Sequence, residues 1–162
     1  MISETVRAAL ERLQSPWEIM PIDPAFADTE AFCRKYGVPA ERSANTIIVA
    51  SKKEPKQFCA CVVLADSRLD VNRRVRQLMS VPRASFATAE EMKALTGMEV
   101  GGVTPFGLPP DLPLYVDARV MEPSWVILGA GGRSAKVRIS PNVFIELNAT
   151  VVTGLGISPS EA

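Results

Sequence analysis

Apolar positions recur along the chain at two spacings. Val6, Ala9, Leu10 and Leu13 lie three or four residues apart behind Ser3, which predicts an amphipathic helix over residues 3–13 capped by Ser3. Trp17 to Met20 reads as a short strand that stops before the turn-forming Pro21 and Pro24. Asp28 then opens a second helix, which Gly37 closes. The runs T-I-I-V-A at 46–50 and F-C-A-C-V-V-L-A at 58–65 are continuous enough for buried strands, and the lysine-rich S-K-K-E-P-K between them makes a hairpin. Asp70 can cap a helix over 71–79 that turns Val71, Val75, Leu78 and Met79 inward. Thr88 and Glu91 have capping-box spacing for a helix ending at Gly97.

Downstream of Gly107, L-Y-V-D-A at 114–118, W-V-I-L-G at 125–129 and K-V-R-I-S at 136–140 alternate as strands, the last two joined by A-G-G-R. Ser140 and Pro141 signal a final helix over N-V-F-I-E-L, and the chain beyond Gly154 carries no further pattern, so it reads as a frayed tail. Several strands follow one another with no helix between them. That order predicts an α+β fold with a mixed sheet in a single domain over residues 1–156, with 157–162 as a short flexible tail. The prolines cluster at junctions and mark no interdomain linker.

Composition narrows the chemistry. The chain has no histidine, which removes every Ser-His-Asp triad, Cys-His pair and histidine-ligated metal. Cys33, Cys59 and Cys61 show neither Cys-x-x-Cys nor zinc spacing, and Cys59 and Cys61 share one strand face, where a strain-free disulfide is unfavourable; all three read as reduced core thiols. No metal and no cofactor is expected. Formal net charge is zero, so any charged partner must be met by a local patch. The N-terminus has no long apolar run, and no stretch approaches a membrane span, as in a soluble cytoplasmic protein.

The segment T-G-M-E-V-G-G-V-T-P-F-G at 96–107 is the candidate site. Glycine permits positive φ and lets the backbone approach a ligand, so successive N–H groups at Gly101 and Gly102 can converge on an oxyanion; Thr104 can donate or accept, Pro105 stiffens a wall, and Phe106 and Gly107 continue it. A plain helix-to-strand connection explains the same spacing, which matches neither the Rossmann nor the P-loop signature. G-A-G-G-R-S at 129–134 adds a second glycine turn with Gly131 and Arg133, for which a tight hairpin is the simpler account. Asp117 lies in an apolar strand and must find a donor, and loop N–H groups are candidates.

These segments together resemble the YbaK/prolyl-tRNA synthetase-associated family: T-G-M-E-V-G-G-V-T-P-F-G-L followed by L-P-L-Y-V-D, with T-I-I-V before and a G-G-R turn after. The resemblance spans nearly the whole chain and is most specific over 96–117. It implies a curved mixed sheet, partly barrel-like and flanked by helices, and an aminoacyl-tRNA deacylase that hydrolyses the ester of mischarged tRNA. Gly101, Gly102 and Pro105 correspond to the family's G-x-x-x-P loop against the ester and terminal adenosine, and Thr29 to a threonine near the amino-acid pocket. Asn45, before Thr46, departs from the pattern, which commonly has lysine there. Asparagine loses the cation and several ångströms of reach. The chain is therefore either a deacylase or a binding module for aminoacyl-tRNA, an aminoacyl-adenylate or a nucleotide-like ligand. Lys136 can supply a cation from another strand, although alternation can equally point it to solvent.

A tRNA acceptor end also requires phosphate contacts. Arg68, Arg73, Arg74, Arg76 and Arg83, with Lys52, Lys53 and Lys56, concentrate positive charge and form either a basic rim for it or an ordinary solvated face.

Overall fold

The computed structural model describes residues 2–161. Helix α1 spans Glu4–Glu11, and Ser3 caps it as expected, its Oγ accepting from the Val6 N–H at 3.3 Å. Strand β1 (Trp17–Pro21) leads through a single turn over Pro24–Phe26 to α2 (Thr29–Tyr36). Asp28 precedes α2 but makes no capping bond, and Gly37 ends the helix at φ +66°. Strands β2 (Ala44–Ser51) and β3 (Phe58–Leu64) pair antiparallel as the hairpin the apolar runs predict.

After β4 (Arg68–Leu69) the expected helix over 71–79 forms in two parts. Its first turns, Val71–Val75, are wide: the Val75 N–H reaches back five residues to the Asp70 carbonyl, and the Asp70 side chain caps nothing. Only Arg76–Met79, α3, is α-helical. β5 (Ala84–Phe86) follows, then α4 (Ala89–Thr96) with both halves of the Thr88–Glu91 capping box in place. β6 (Leu114–Asp117), β7 (Val126–Gly129) and β8 (Ala135–Ile139) agree with the alternating segments, and α5 (Val143–Glu146) is a single turn.

The chain from Gly154 to Ile157 does not fray. β9 (Thr150–Val152) pairs parallel with β6, β10 (Gly156–Ile157) pairs antiparallel with β4, and Leu155 between them is fully buried. A two-residue strand leaves no periodicity to read, which is why the sequence presents it as a tail.

The result is α+β, with a five-stranded mixed sheet ordered β5-β2-β3-β6-β9 and a three-stranded antiparallel sheet ordered β1-β8-β7. The two sheets do not close into a barrel. Between them lies the main core, where Leu10 from α1, Val62 and Val116 from the large sheet, Leu128 and Val137 from the small one, and Phe106 and Phe144 are all fully buried. Side chains of this size each stabilise the fold by ~1.5–3 kcal/mol when buried. The opposite face of the large sheet, with Val49, Cys59, Cys61 and Val63, is covered by residues 71–79, and all three cysteines are free. The outer face of the small sheet is covered by α2 through Phe32.

Candidate functional site

The two sheets meet at one point and then separate. Ser43 and Ile127 form a single parallel bridge between the start of β2 and β7. Beyond it β5 pairs with β2 only from Val49 to Ser51, so residues 45–48 of β2 have β3 on one side and no strand on the other. Antiparallel alternation turns the N–H and C=O groups of Ala44 and Thr46 toward this open edge. In the gap lies a cleft of about 180 Å³ lined by Thr29, Asn45, Thr46, Gly101, Gly129 and Lys136, with Ala44, Ile47 and Val103 completing its walls.

Each wall has a local cause. Thr29 comes from the first turn of α2, and its Oγ1 donates to Asn45 Oδ1, leaving the Asn45 amide group as a donor. Thr46 is 8 % exposed, and its buried Oγ1 has no hydrogen-bond partner among the described residues, a costly state for a hydroxyl. Lys136 projects from β8 on the face that α2 covers, 6 % exposed, with Nζ donating to the Ala27 carbonyl at 2.8 Å and the Gly101 carbonyl at 3.3 Å. The Phe32 ring centroid lies 5.3 Å from the same ammonium. Burial pushes Lys136 below the usual lysine range; the Asp28 carboxylate opposes that shift and the Arg133 guanidinium adds to it. Alternation on β8 therefore turns Lys136 inward.

The glycine-rich segment is held against the second glycine turn backbone to backbone. Gly131 N–H donates to Gly102 O at 2.6 Å, and Glu99 N–H to Gly131 O at 3.1 Å. A β-carbon on Gly102 would overlap the Gly132 carbonyl oxygen and lie 2.6 Å from its carbon; one on Gly129 would overlap the Val103 oxygen. At these two positions the missing side chain serves the contact between loops. Gly101 has φ +86°, and a β-carbon there would overlap the Arg133 guanidinium and come within 2.8 Å of the Asp28 carboxylate. Gly101 and Val103 both line the cleft and their N–H groups have no acceptor among the described residues, whereas the Gly102 N–H donates to Glu99 O.

Arg133 stands behind this wall. It ion-pairs with Asp28 at 3.0 Å and donates to Val100 O at 2.8 Å and Pro24 O at 3.1 Å, so one guanidinium ties the glycine loop to the entry of α2. Asp28 answers Arg133 in place of capping its own helix.

Other sequence candidates lie elsewhere. Thr104 and Phe106 are fully buried, and the Thr104 hydroxyl accepts from the Phe106 N–H at 3.4 Å, an internal turn bond. Pro105 and Gly107 border a different hollow of about 350 Å³ beside Ala9 and Leu13. Gly131 borders a third, about 450 Å³, with Thr5, Val6 and Met98; it is larger than the cleft but has no cation in its lining. Asp117 is 1 % exposed on the far side of the large sheet, against Gly156, and does not reach the glycine loop. Its Oδ2 lacks a hydrogen bond, and burial pushes its carboxyl above the ordinary range against the pull of the Gly156 and Arg119 N–H groups. Sequence reasoning misses Gly129, Val103 and the Ala27 carbonyl as parts of the site; their roles follow from which segments meet, and no residue type announces them.

Among the described residues no group of three or more His, Cys, Asp or Glu is placed to hold a metal ion, and no helix is long and apolar enough to cross a membrane.

Comparison with known proteins gives consistent results. A model of the aminoacyl-tRNA editing domain family matches residues 23–147. The uncharacterized protein YwhH of Bacillus subtilis is 25% identical over 152 residues, covering 94% of both chains. The crystal structure of the hypothetical protein APE2540 superposes with a TM-score of 0.75 at 28% identity over 93% of this chain and 95% of that one. A proposed trans-editing enzyme for prolyl-tRNA synthetase has the same fold, with a TM-score of 0.78 at 23% identity over 94% of this chain and 98% of that one.

Proposed function

Because the chain belongs to the aminoacyl-tRNA editing domain family, we propose that it is an aminoacyl-tRNA deacylase working in trans on mischarged tRNA, with the acyl ester bound in the cleft between β2 and β7. One observation carries this reading: the buried cation Lys136, Asn45 with its amide N–H group uncommitted, and Gly101 and Val103, whose N–H groups have no acceptor among the described residues, all line the same 180 Å³ space.

The chemistry needs no histidine. The ester carbonyl oxygen lies toward the Gly101 and Val103 N–H groups and the Lys136 ammonium, and each such donor contributes ~10²–10³ in rate. A water attacks the carbonyl carbon and the bond to the ribose oxygen breaks; one of the water's protons passes to that oxygen, and the other is released to solvent as the amino acid leaves as a carboxylate. Asn45, held by Thr29, anchors the substrate through its free amide N–H. Gly102 supports the loop, its own N–H being engaged by Glu99. Lys136 restores a cation that Asn45 lacks, which favours turnover over a binding module. The arginines at 68, 73, 74 and 76 meet the acceptor-end phosphates, and the reaction is cytoplasmic.

The test is a panel of misacylated tRNAs incubated with the protein. Ester loss above the buffer rate for at least one of them is expected. Loss at the buffer rate for every one, with binding retained, replaces the deacylase with the binding module; activity created by Asn45→Lys would strengthen that replacement.

A further inference from the structure

A further hollow of about 240 Å³ opens between β5, which pairs with β2, and the segment that begins with β4; it is lined by Arg68, Asp70, Asn72, Ser85 and Phe86. Phe86 is 58 % exposed, the one aromatic among the exposed large hydrophobics of the described residues. Its position is fixed by register. Phe86 pairs with Val49, and the Ala87 N–H donates to the Ile48 carbonyl at 2.9 Å. Cross-strand partners share a face, and residues two apart on a strand share it too, so the Phe86 ring is on the face of Asn45 and Ile47. Ile47 lines the ester cleft, and Val49 is two positions further, ~7 Å along the strand.

The polar side chains around Phe86 are uncommitted. Asp70 caps no helix, and neither its carboxylate nor the side chains of Asn72 and Ser85 make a hydrogen bond or ion pair with any described residue. Arg68, Arg73 and Arg74, on and beside the same segment, join none of the ion pairs. An exposed ring beside a carboxylate acceptor and unpaired guanidiniums matches a single-stranded nucleotide: a π-face to stack, an exocyclic amino group to donate, and phosphates to neutralise.

We infer that this hollow is a nucleobase subsite for the unpaired 3′ end of the RNA, with Phe86 as the stacking platform and Asp70 accepting from the exocyclic amino group of adenine or cytosine. The inference rests on the cleft being the ester site, because the subsite's distance from Ile47 sets where the ribose lies. It adds to that reading a means of selecting the end of the RNA independently of the amino acid.

The experiment uses unacylated RNA, so it needs no ester cleavage. A 5′-labelled CCA trinucleotide is titrated by fluorescence anisotropy against the wild type, Phe86→Ala, Phe86→Trp and Asp70→Ala. Loss of one stacked base weakens binding about 5- to 140-fold in Phe86→Ala, whereas Phe86→Trp retains affinity. Replacing the terminal adenosine by uridine, which offers no exocyclic amine, weakens binding to the wild type, and Asp70→Ala erases that difference. Equal affinity of wild type and Phe86→Ala, or no binding by either, overturns the subsite. Phe86-dependent binding without hydrolysis of any misacylated tRNA keeps the subsite and removes the deacylase. Hydrolysis with an unchanged KM in Phe86→Ala does the reverse.

Discussion

Gly129→Ala separates two reasons for having glycine near the cleft. Gly129 does not have a positive φ, so alanine adds no backbone strain; the new β-carbon instead overlaps the Val103 carbonyl oxygen and lies 2.9 Å from the Gly102 oxygen and 3.0 Å from its carbon. Those atoms are backbone and cannot rotate away. Relief requires the 101–103 wall to retreat by ~1 Å, which costs ~1–3 kcal/mol as overpacking. A displacement of that size at a reacting group lowers turnover by ~10²-fold. Gly97→Ala is the matched control. Gly97 has φ +72°, and no atom lies within 4 Å of the place its methyl would take, so alanine there costs ~1–2 kcal/mol of left-handed strain without moving the cleft wall. Urea denaturation gives the stability of both variants, and single-turnover ester hydrolysis gives kcat/KM. Comparable destabilisation is expected, with activity lost only in Gly129→Ala. Equal activity in the two variants would refute the claim that the 101–103 wall positions the reaction.

Three further outcomes follow from the buried charges. Lys136→Met removes two hydrogen bonds and leaves the Ala27 and Gly101 carbonyls unanswered, so it lowers stability by ~1–3 kcal/mol at neutral pH, read by urea denaturation. Because burial holds the folded Lys136 below its ordinary value of 10.5, the unfolded chain binds more protons as pH approaches 10.5 from below, and the stability of wild type relative to Lys136→Met rises through that window. Asp117 has the opposite sign: its folded carboxyl lies above the ordinary 3.8, so its contribution is fullest below 3.8 and is lost as pH rises through the folded value. Wild type therefore loses ground to Asp117→Asn as pH rises, measured as the difference in unfolding free energy between pH 3 and pH 7.

Much of this architecture is legible in the sequence, for physical reasons that also mark where legibility ends. The long apolar runs of β2 and β3, the Ser3 and Thr88 caps and Gly37 carry local signals that tertiary contacts do not overrule. β5 reads only A-S-F, and β10 is two residues, so their pairing exists only once β2 and β4 are in place. Asp28 has the residue type of a cap yet answers Arg133, 105 positions away. Within the glycine loop the residue types are visible, but not which side of the loop faces what: Gly101 borders the cleft, Gly102 packs on Gly132, and Gly131 faces another hollow. Asp117 reads as buried from its apolar neighbours, and it is buried. Strand parity puts it on the face of Tyr115, opposite Val116 and the core next to the loop, and a single strand cannot reveal which buried face is which.

The most direct measurement of where the ester binds is amide NMR of the protein titrated with a non-hydrolysable aminoacyl-adenosine, in which an amide replaces the ester. The account predicts that the largest shifts fall on Thr29, Asn45, Thr46, Gly101 and Val103, and that Lys136→Met abolishes them. Shifts centred on Thr5, Met98 and Gly131, the lining of the larger hollow, would contradict it.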